Sequence, residues 1–206
     1  MDLEELKNFT KKCSYIQKQK EEIKLTKSKN KHDEASLSFI INRKMSQSES
    51  IRLGIAIECY LRDFIGNKTG LKNIKKNCKG QKEKDILFID YNQKIIYYSE
   101  IKTNLNLDTE KLKSTYIKCQ DIVKELGYEY KDFQIKWCLL GARYKDCNEI
   151  SEKVKKKYIE IKDNLFGINE FFQMFDIDLV VSNKEYKELL NHIADECFDN
   201  QECRKK

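Results

Sequence analysis

The chain has 206 residues and a formal net charge of +6, with 36% charged and 40% hydrophobic residues. Its longest apolar runs contain only a few residues, far fewer than the ~20 that a membrane-spanning helix needs, so we expect neither a membrane span nor a membrane partner. No proline- or glycine-rich linker divides the chain, which has seven glycines and no proline, and one domain is the simplest prediction.

The eight cysteines favour a reduced protein over a zinc-binding or disulfide-linked one. None forms a C-x-x-C pair, and the two histidines lie far in sequence from any cysteine cluster, so no zinc site is predicted. The first residues, MDLEEL, are acidic and differ from a secretory signal. We therefore expect a cytoplasmic protein with free thiols. The predicted core cysteines are Cys59, Cys119, Cys138 and Cys197.

The N-terminal segment is predicted to be helical, because its apolar residues recur at helical spacing. A polar break from Lys27 to Asp33 separates it from a second short helix at Ala35 to Arg43. Both helices would lie outside a central core, where they are candidates for dimer or ligand contacts. The apolar positions of the first are Leu6, Phe9, Cys13, Ile16 and Ile23.

A third helix is predicted from Ser46 to a stop at Gly66. Ser46 and Glu49 have the S-x-x-E spacing of a capping box. At 100° per residue Glu58 falls inside the apolar stripe, where an unpaired carboxylate would cost about 3 kcal/mol or more. Two partners are open for it: Arg62 at i+4, as a structural ion pair, or a metal site. The stripe consists of Ile51, Ile55, Ile57, Leu61 and Ile65.

A lysine-rich segment follows this helix. Between residues 68 and 84 there are seven lysines and one acid, Glu83. The net positive charge of this segment therefore equals that of the whole chain, +6. Such a cluster is typical of phosphate contacts and of salt-dependent binding to nucleic acid. A solvated loop in a lysine-rich protein has the same composition. The lysines are Lys68, Lys72, Lys75, Lys76, Lys79, Lys82 and Lys84.

The next two strands are predicted to form a hairpin. Ile86 to Ile89 and Ile95 to Ile101 are apolar, β-branched and aromatic, and residues 90–94 have the polarity of a tight turn. A turn of two or of four loop residues gives the same register. That register pairs Ile89 with Ile96, Leu87 with Tyr98, and Asp85 with Glu100.

Three charged side chains are predicted to meet at the open end of this hairpin. Opposed residues have Cβ atoms about 5 Å apart, so Asp85 lies beside Glu100, and the strand period of two places Lys102 on the face of Glu100. Two carboxylates this close raise each other's pKa unless a cation lies between them. Either a divalent metal or the ammonium could supply that charge, and oxygen ligands favour Mg²⁺. The alternative is ordinary acids at strand ends, with Lys102 as a solvated partner.

A helix and a further strand are predicted after the hairpin. Asp108 to Glu110 form the N-cap region, Gly127 is the stop, and Phe133 to Leu140 read as a strand buried on both faces. Strand, helix and strand imply a parallel pair joined by a right-handed crossover. The helix buries Leu112, Tyr116, Cys119, Val123 and Leu126.

The C-terminal part is predicted to start an aromatic-rich helix within Phe166 to Phe175, whose aromatic residues favour a core role. A final strand at Ile177 to Val181 follows, and Ser182 with Glu185 caps a last helix. Residues from about Asp199 form a charged tail. The last helix buries Tyr186, Leu189, Leu190, Ile193 and Cys197.

Asp85, fourteen intervening residues and then Glu100-Ile101-Lys102 on the second strand of a hairpin resemble the signature of the PD-(D/E)XK nuclease superfamily, in particular its type II restriction endonucleases. Lys84 stands where the family often has a proline, which contributes no ligand. The G-x-x-x-E-x-x-L segment around Glu58 resembles the first core helix of the superfamily, which often supplies an acid to the catalytic cluster. The superfamily core reads helix, three-stranded meander, helix, strand.

The resemblance implies an α/β (α+β) fold with a restriction-endonuclease-like core, in which helices flank a central mixed sheet and extra helices are added at both ends. We expect a single nuclease domain over residues 1–206. Its predicted parts are a helical N-terminal elaboration at 1–45, a catalytic core at 46–141, a C-terminal helical and strand elaboration at 142–198, and the tail at 199–206.

The resemblance also implies Mg²⁺-dependent hydrolysis of DNA phosphodiesters, with Mn²⁺ able to substitute. Asp85, Glu100 and the carbonyl of Ile101 would bind the metal, and Lys102 would orient or help deprotonate the attacking water. Glu58 would complete a second metal site or hold the ligands in place. The candidate DNA contacts are Lys75, Lys76, Lys79, Gln81, Lys82, Lys84 and Asn104.

A restriction endonuclease that cuts double-stranded DNA at a short palindrome would be a homodimer, because a two-fold DNA site is matched by a two-fold protein. Its genetic partner would be a cognate DNA methyltransferase. Two alternatives stay open. One is a repair, recombination or phage nuclease of the same fold, such as a junction resolvase or a nicking enzyme. The other is a non-catalytic DNA-binding protein whose acids are structural.

Overall fold

The structure is a computed structural model that describes residues 3–22, 45–74, 83–105 and 109–198. Its contacts divide the chain into two compact units. The first comprises the described residues up to Phe64 and from Leu179 onward, and the second is Ile65–Asp178. The predicted partition into a core and two elaborations follows other boundaries and stays a prediction. No helix in the described ranges combines the length and apolarity needed to cross a lipid bilayer.

The first unit is helical. It contains α1 (Leu3–Phe9), α2 (Ser14–Glu22), most of α3 (Gln47–Thr69) and α7 (Asn183–Phe198), with α1 and α2 packed against α7. The predicted N-terminal helix is thus two helices, separated by the 3₁₀ turn Thr10–Lys12. The predicted buried positions Leu6, Phe9, Cys13 and Ile16 are confirmed, as is the whole predicted buried face of α7. Ile23, the helix at 35–43 and the tail from Asp199 lie outside the described residues.

Both predicted capping boxes are present. The backbone N–H of Ser46 donates to Glu49 at 2.7 Å while the N–H of Glu49 donates back to the Ser46 hydroxyl at 3.3 Å. Ser182 and Glu185 form the same reciprocal pair at 2.8 and 3.3 Å. These bonds satisfy N–H groups that a helix start would otherwise leave without partners.

The buried face of α3 differs from the predicted stripe. Ile51 and Ile55 are 59% and 40% exposed, so the prediction was wrong for them, although Ile57, Leu61 and Ile65 are buried as predicted. The helix is instead oriented by a set of residues at i, i+3, i+7 and i+11 that includes two aromatic rings, which pack against Phe9. That set consists of Leu53, Ala56, Tyr60 and Phe64, all at 0% exposure.

Neither predicted helix stop ends its helix. Helix α3 continues through Gly66 to Thr69, and the left-handed residue that follows it is Gly70, with φ +72°. Helix α4 (Thr109–Glu129) likewise continues through Gly127. Gly66 has a steric reason to lack a side chain, because an added Cβ would lie 3.2 Å from the carbonyl oxygen of Leu71.

These two helical glycines give a matched stability prediction. Gly127→Ala is expected to raise the free energy of unfolding by up to about 1 kcal/mol, because its Cβ would meet only the Ile135 methyl at an ordinary 3.8 Å. Gly66→Ala is expected to give no gain, because the contact with the Leu71 carbonyl offsets the improved helix propensity. Urea denaturation of both variants measures the difference, and equal stabilisation by both would contradict the packing described for Gly66.

The second unit is built on a four-stranded mixed sheet with the order β1-β2-β3-β4. Strands β1 (Ile86–Asp90) and β2 (Ile95–Lys102) are antiparallel, and β3 (Gln134–Gly141) and the two-residue β4 (Leu165–Phe166) continue the sheet in parallel. Helix α4 connects β2 to β3, and α5 (Glu152–Lys157) and α6 (Ile168–Met174) flank β4 in the chain. The predicted class, an α/β fold with a central mixed sheet and flanking helices, is confirmed.

The hairpin register is the predicted one. Ile89 pairs with Ile96 and Leu87 with Tyr98, across a loop of four residues at 91–94. The side chain of Asp90 closes this loop by accepting the N–H groups of residues 92 and 93 at 2.9 and 3.0 Å. The parallel pairing of β2 with β3, predicted from the strand–helix–strand pattern, is also confirmed.

The two faces of the sheet pack against different partners. Leu87, Ile89, Ile96 and Tyr98 form one cluster with the buried α4 residues Cys119, Ile122 and Leu126. On the opposite face, the rings of Phe88 and Tyr97 contact Phe175, just after α6. Because strand residues alternate between faces, Glu100 and Lys102 lie on the α4 face, beyond Tyr98.

One predicted strand is not formed, and a short segment covers the outer edge of β1. Among the described residues, Asn73 forms an isolated antiparallel bridge with Phe88. Asn73 also accepts the Leu87 N–H through its side chain at 3.0 Å, which covers the outer edge of β1. Ile177 to Val181 shows alternating burial but pairs with no strand in the described ranges, so the prediction of a strand there was wrong. The edge of β3 is taken instead by β4.

Candidate functional site

The predicted charges do converge at the open end of the hairpin. Asp85 directly precedes β1, and its Oδ2 accepts the backbone N–H of Ile101 at 2.7 Å. The side chain therefore takes the place of a carbonyl in the ladder and is held against β2, beside Glu100. Both acids are removed from water, with side chains 15% and 1% exposed.

Two lysines neutralise this acid pair. Lys102 donates to Oε1 of Glu100 at 2.5 Å, as the strand period predicted. The second cation is Lys118 of α4, whose Nζ lies 2.6 Å from Oε2 of Glu100 and 3.9 Å from Oδ1 of Asp85. Each oxygen of Glu100 is thus paired with a different ammonium, and Lys118 contacts both acids. The four groups carry formal charges that sum to zero.

Tyr98 and Cys119 form the floor of the cluster. The Tyr98 hydroxyl lies 3.4 Å from Oε2 of Glu100 and 3.9 Å from the Cys119 sulfur, and both residues are 0% exposed. Burial, together with the charge of Glu100, raises the pKa of the Cys119 thiol to about 11. Cys119 is therefore a neutral thiol at physiological pH, suited to packing rather than to nucleophilic or thiolate chemistry.

Burial and mutual repulsion determine the ionisation of the cluster. Burial, followed by the charge of Glu100, raises the pKa of Asp85 to about 6, against the lowering effect of the Ile101 N–H and the two lysines. Burial alone would lower the pKa of Lys102, but Glu100 and Asp85 outweigh it and the pKa is raised. At neutral pH, above its raised pKa, Asp85 is therefore ionised, and Lys102 carries its ammonium charge.

The raised pKa of Asp85 predicts a pH-dependent cost to stability. Between about pH 4 and 6 the folded protein binds a proton at Asp85 that the unfolded chain releases. The contribution of Asp85 to the free energy of unfolding is therefore present at low pH and is lost as the pH rises through 6. Asp85→Asn is expected to remove this decrease in stability with rising pH, because asparagine does not titrate. Its side-chain oxygen can still accept the Ile101 N–H. Denaturation at pH 4 to 7 measures the difference in the free energy of unfolding between the two proteins. A difference that does not change with pH would contradict the raised pKa of Asp85.

Sequence reasoning missed Lys118, although a signal was present. Lys118, Ile122 and Leu126 are spaced at i, i+4 and i+8, so the lysine lies on the stripe that packs against the sheet, one turn closer to the helix start. On β2 the corresponding series is Ile96, Tyr98 and Glu100. Aligning the two series places a lysine opposite the buried acid.

Glu58 belongs to the first unit, where it pairs with Arg62. The distance from Arg62 Nη1 to Glu58 Oε1 is 3.8 Å, and Arg62 also donates to Asp63 at 3.3 Å. The side chain of Glu58 is 29% exposed, so it is only partly buried and not fully enclosed as the stripe implied. The ion pair is one of the two predicted alternatives, and the role of Glu58 in metal binding stays a prediction.

The predicted DNA contacts fall in two groups. Lys84 directly precedes Asp85, and its ammonium pairs with Glu125 of α4 at 3.5 Å. Asn104 lies two residues beyond the end of β2, at the same end of the sheet as the charge cluster. The others, Lys75, Lys76, Lys79, Gln81 and Lys82, lie outside the described residues. Their roles remain predictions.

The donor set of the cluster fits a hard divalent cation. Asp85 and Glu100 supply carboxylate oxygens at one end of the sheet, and Ile101 lies between Glu100 and Lys102 on the strand. Within the described ranges no group of three or more His, Cys, Asp and Glu side chains is placed to hold a metal. Mg²⁺ does not require one, because it is typically bound by one or two carboxylates together with substrate phosphates.

Helices and strands thus bring together four of the predicted site residues, Asp85, Glu100, Ile101 and Lys102, and one that was not predicted, Lys118. The set contains two buried acids, one of them with a raised pKa, and two ammonium groups at the end of a sheet. Such an arrangement is typical of functional sites, and structural ion-pair networks share it. No protein-family model, curated protein or solved structure matches this chain.

Proposed function

We propose that this chain is a Mg²⁺-dependent endonuclease of the type II restriction class, which hydrolyses phosphodiesters of double-stranded DNA at a short, palindromic site. The observation that carries the proposal is the Asp85, Glu100 and Lys102 set at one hairpin end, with the spacing of the PD-(D/E)XK signature. The mixed sheet with α4 between parallel strands is the scaffold that this signature implies. The net charge of +6 favours an anionic substrate.

In this proposal Asp85 and Glu100 would hold the metal, with the Ile101 carbonyl and the substrate phosphate as further ligands. When bound, the cation supplies charge stabilisation to the pentavalent transition state and acidifies the attacking water. Lys102 orients that water, because its ammonium has a raised pKa and is a hydrogen-bond donor in this state. The Ile101 N–H fixes Asp85 in position, so the ligand pair needs little rearrangement before reaction.

Further properties follow from the restriction class. A homodimer would match the two-fold symmetry of a palindromic site. A cognate DNA methyltransferase would protect the host DNA, and Mn²⁺ would replace Mg²⁺. The cytoplasm is the compartment we propose, in keeping with the buried free thiols at positions 13, 59, 119, 138 and 197.

Incubation of the purified protein with supercoiled plasmid and Mg²⁺ tests this function. We expect discrete linear fragments that persist at complete digestion, with no cleavage in EDTA or by Asp85→Asn. A smear, nicked circles alone or cleavage restricted to branched DNA would contradict the restriction class and support a repair, recombination or phage nuclease. Absence of cleavage on all of these substrates with both Mg²⁺ and Mn²⁺ would overturn the nuclease proposal.

One observation favours a second candidate, a non-catalytic DNA-binding protein. The carboxylates are already paired with Lys102 and Lys118, as in a structural ion-pair network. This candidate predicts that DNA binding, measured by fluorescence anisotropy, is independent of Mg²⁺ and unchanged in Asp85→Asn. The nuclease predicts that Mg²⁺ tightens binding and that the substitution removes this effect.

A further inference from the structure

Lys118 lies where a divalent cation would have to bind. Its Nζ is within 4 Å of an oxygen from each acid, 2.6 Å for Glu100 and 3.9 Å for Asp85. Lys102 pairs with the other oxygen of Glu100. Because Glu100 is 1% exposed and each of its oxygens is paired with an ammonium, a cation that binds this carboxylate competes with those ammonium groups. The position of Lys118 between the two acids makes it the more direct competitor.

We propose that Lys118 is an internal counter-ion which the metal replaces. The proposal rests on the proposed nuclease function and concerns how its metal site is regulated. Metal binding is an exchange, in which the ammonium of Lys118 leaves both carboxylates as the cation enters. The charges favour the exchange over simple addition. A divalent cation added to the neutral cluster would leave a formal charge of +2 in a largely buried site, whereas loss of Lys118 from the cluster reduces this to +1.

The released ammonium has a route to a new partner. The Lys118 side chain is 25% exposed on a flexible four-carbon stem, so it can turn from the carboxylates toward solvent. A DNA phosphate at the site would give it an anionic partner there. Metal and DNA therefore bind cooperatively, because the phosphate stabilises the displaced form of Lys118 that the metal requires. Without DNA, Lys118 keeps metal affinity low.

Titration calorimetry with Mn²⁺ tests the exchange. Lys118→Met is expected to bind Mn²⁺ at least about tenfold more tightly than the unmodified protein, because the metal no longer competes with an ammonium. The matched control is Lys124→Met, an exposed lysine on the same helix, whose affinity should equal that of the unmodified protein. Equal or weaker Mn²⁺ binding by Lys118→Met would overturn the exchange.

A second variant keeps the test decisive if Lys118→Met does not fold. Lys118→Arg retains the charge that neutralises Glu100, and its two parallel donors suit a carboxylate better than an ammonium does. We expect its Mn²⁺ affinity to fall by about threefold or more, the opposite direction to Lys118→Met. An affinity equal to or tighter than that of the unmodified protein would contradict the exchange.

Plasmid cleavage separates this proposal from the function on which it rests. If the unmodified protein cleaves DNA and binds Mn²⁺, but the position 118 variants bind it with unchanged affinity, the exchange fails and the nuclease stands. If the unmodified protein neither binds Mn²⁺ nor cleaves, the nuclease fails and the exchange falls with it. Cooperativity has its own readout: a DNA duplex should tighten Mn²⁺ binding by the unmodified protein and much less by Lys118→Met.

Discussion

On the proposed function, replacement of Lys102 by methionine is expected to lower the rate of DNA cleavage by about two to four orders of magnitude at saturating Mg²⁺, the range typical for loss of a group that orients or transfers a proton. DNA binding should change by no more than a few-fold, because Lys102 is one cation of a chain with 40 lysines and arginines. Single-turnover cleavage measures the first effect, and anisotropy without metal measures the second.

Two variants control for non-specific effects of losing the charge. Lys124→Met removes an exposed lysine outside the cluster and should leave the rate unchanged. Lys102→Arg keeps a donor beside Glu100 and should retain part of the rate if the role is to orient water. A Lys102→Met protein that cleaves DNA at the rate of the unmodified protein would contradict a catalytic role for Lys102.

Glu100→Gln is expected to have the largest effect on stability. It removes the acid that pairs with both lysines and leaves two ammonium groups near Asp85 alone. Breaking a buried ion pair typically costs about 3–5 kcal/mol. Because Lys102 and Lys118 are 32% and 25% exposed, we expect Glu100→Gln to lower the free energy of unfolding by about 2–3 kcal/mol. Urea denaturation at pH 7 without metal measures the loss in the free energy of unfolding.

A double-mutant cycle identifies the source of this loss. In the background of Lys118→Met, Glu100→Gln should lower the free energy of unfolding by about 1 kcal/mol less, because one of the ammonium groups that would lose its partner is absent. The matched control is Glu125→Gln, since Glu125 pairs with Lys84 but is 42% exposed, and its effect should stay under about 1 kcal/mol. Equal costs in both backgrounds would show that Lys118 and Glu100 are not coupled.

The hairpin and its acid pair were predictable because a two-residue period and a short turn leave few registers. Any even-numbered loop centred between Asn92 and Gln93 pairs Ile89 with Ile96, and the buried face excludes a one-residue slip. The parallel pairing of β2 and β3 followed from the intervening helix, since such a connection is too long for a hairpin. The register follows from local periodicity, and the parallel pairing follows from the length of the connection.

Other features depended on tertiary packing that local patterns do not contain. The predicted stop at Gly66 failed because the missing side chain serves a close approach to Leu71, while Gly70 supplies the left-handed cap. The stripe on α3 was shifted because the buried rings of Tyr60 and Phe64 outweigh the isoleucines at 51 and 55. Lys118 was missed because its partners lie on a different element and only the helix–sheet contact brings them together.

The position of Lys118 on the crossover helix also orders the events of folding. Asp85 and Glu100 meet when the local hairpin closes, and Lys102 on the same strand is then beside Glu100, but Lys118, which contacts both acids, arrives only when α4 docks. Hairpin closure therefore brings together two acids with a single lysine to neutralise them. We expect the contacts of Lys118 with the two carboxylates to form late, so that their loss accelerates unfolding more than it slows folding. They govern the lifetime of the native state more than the speed of its formation.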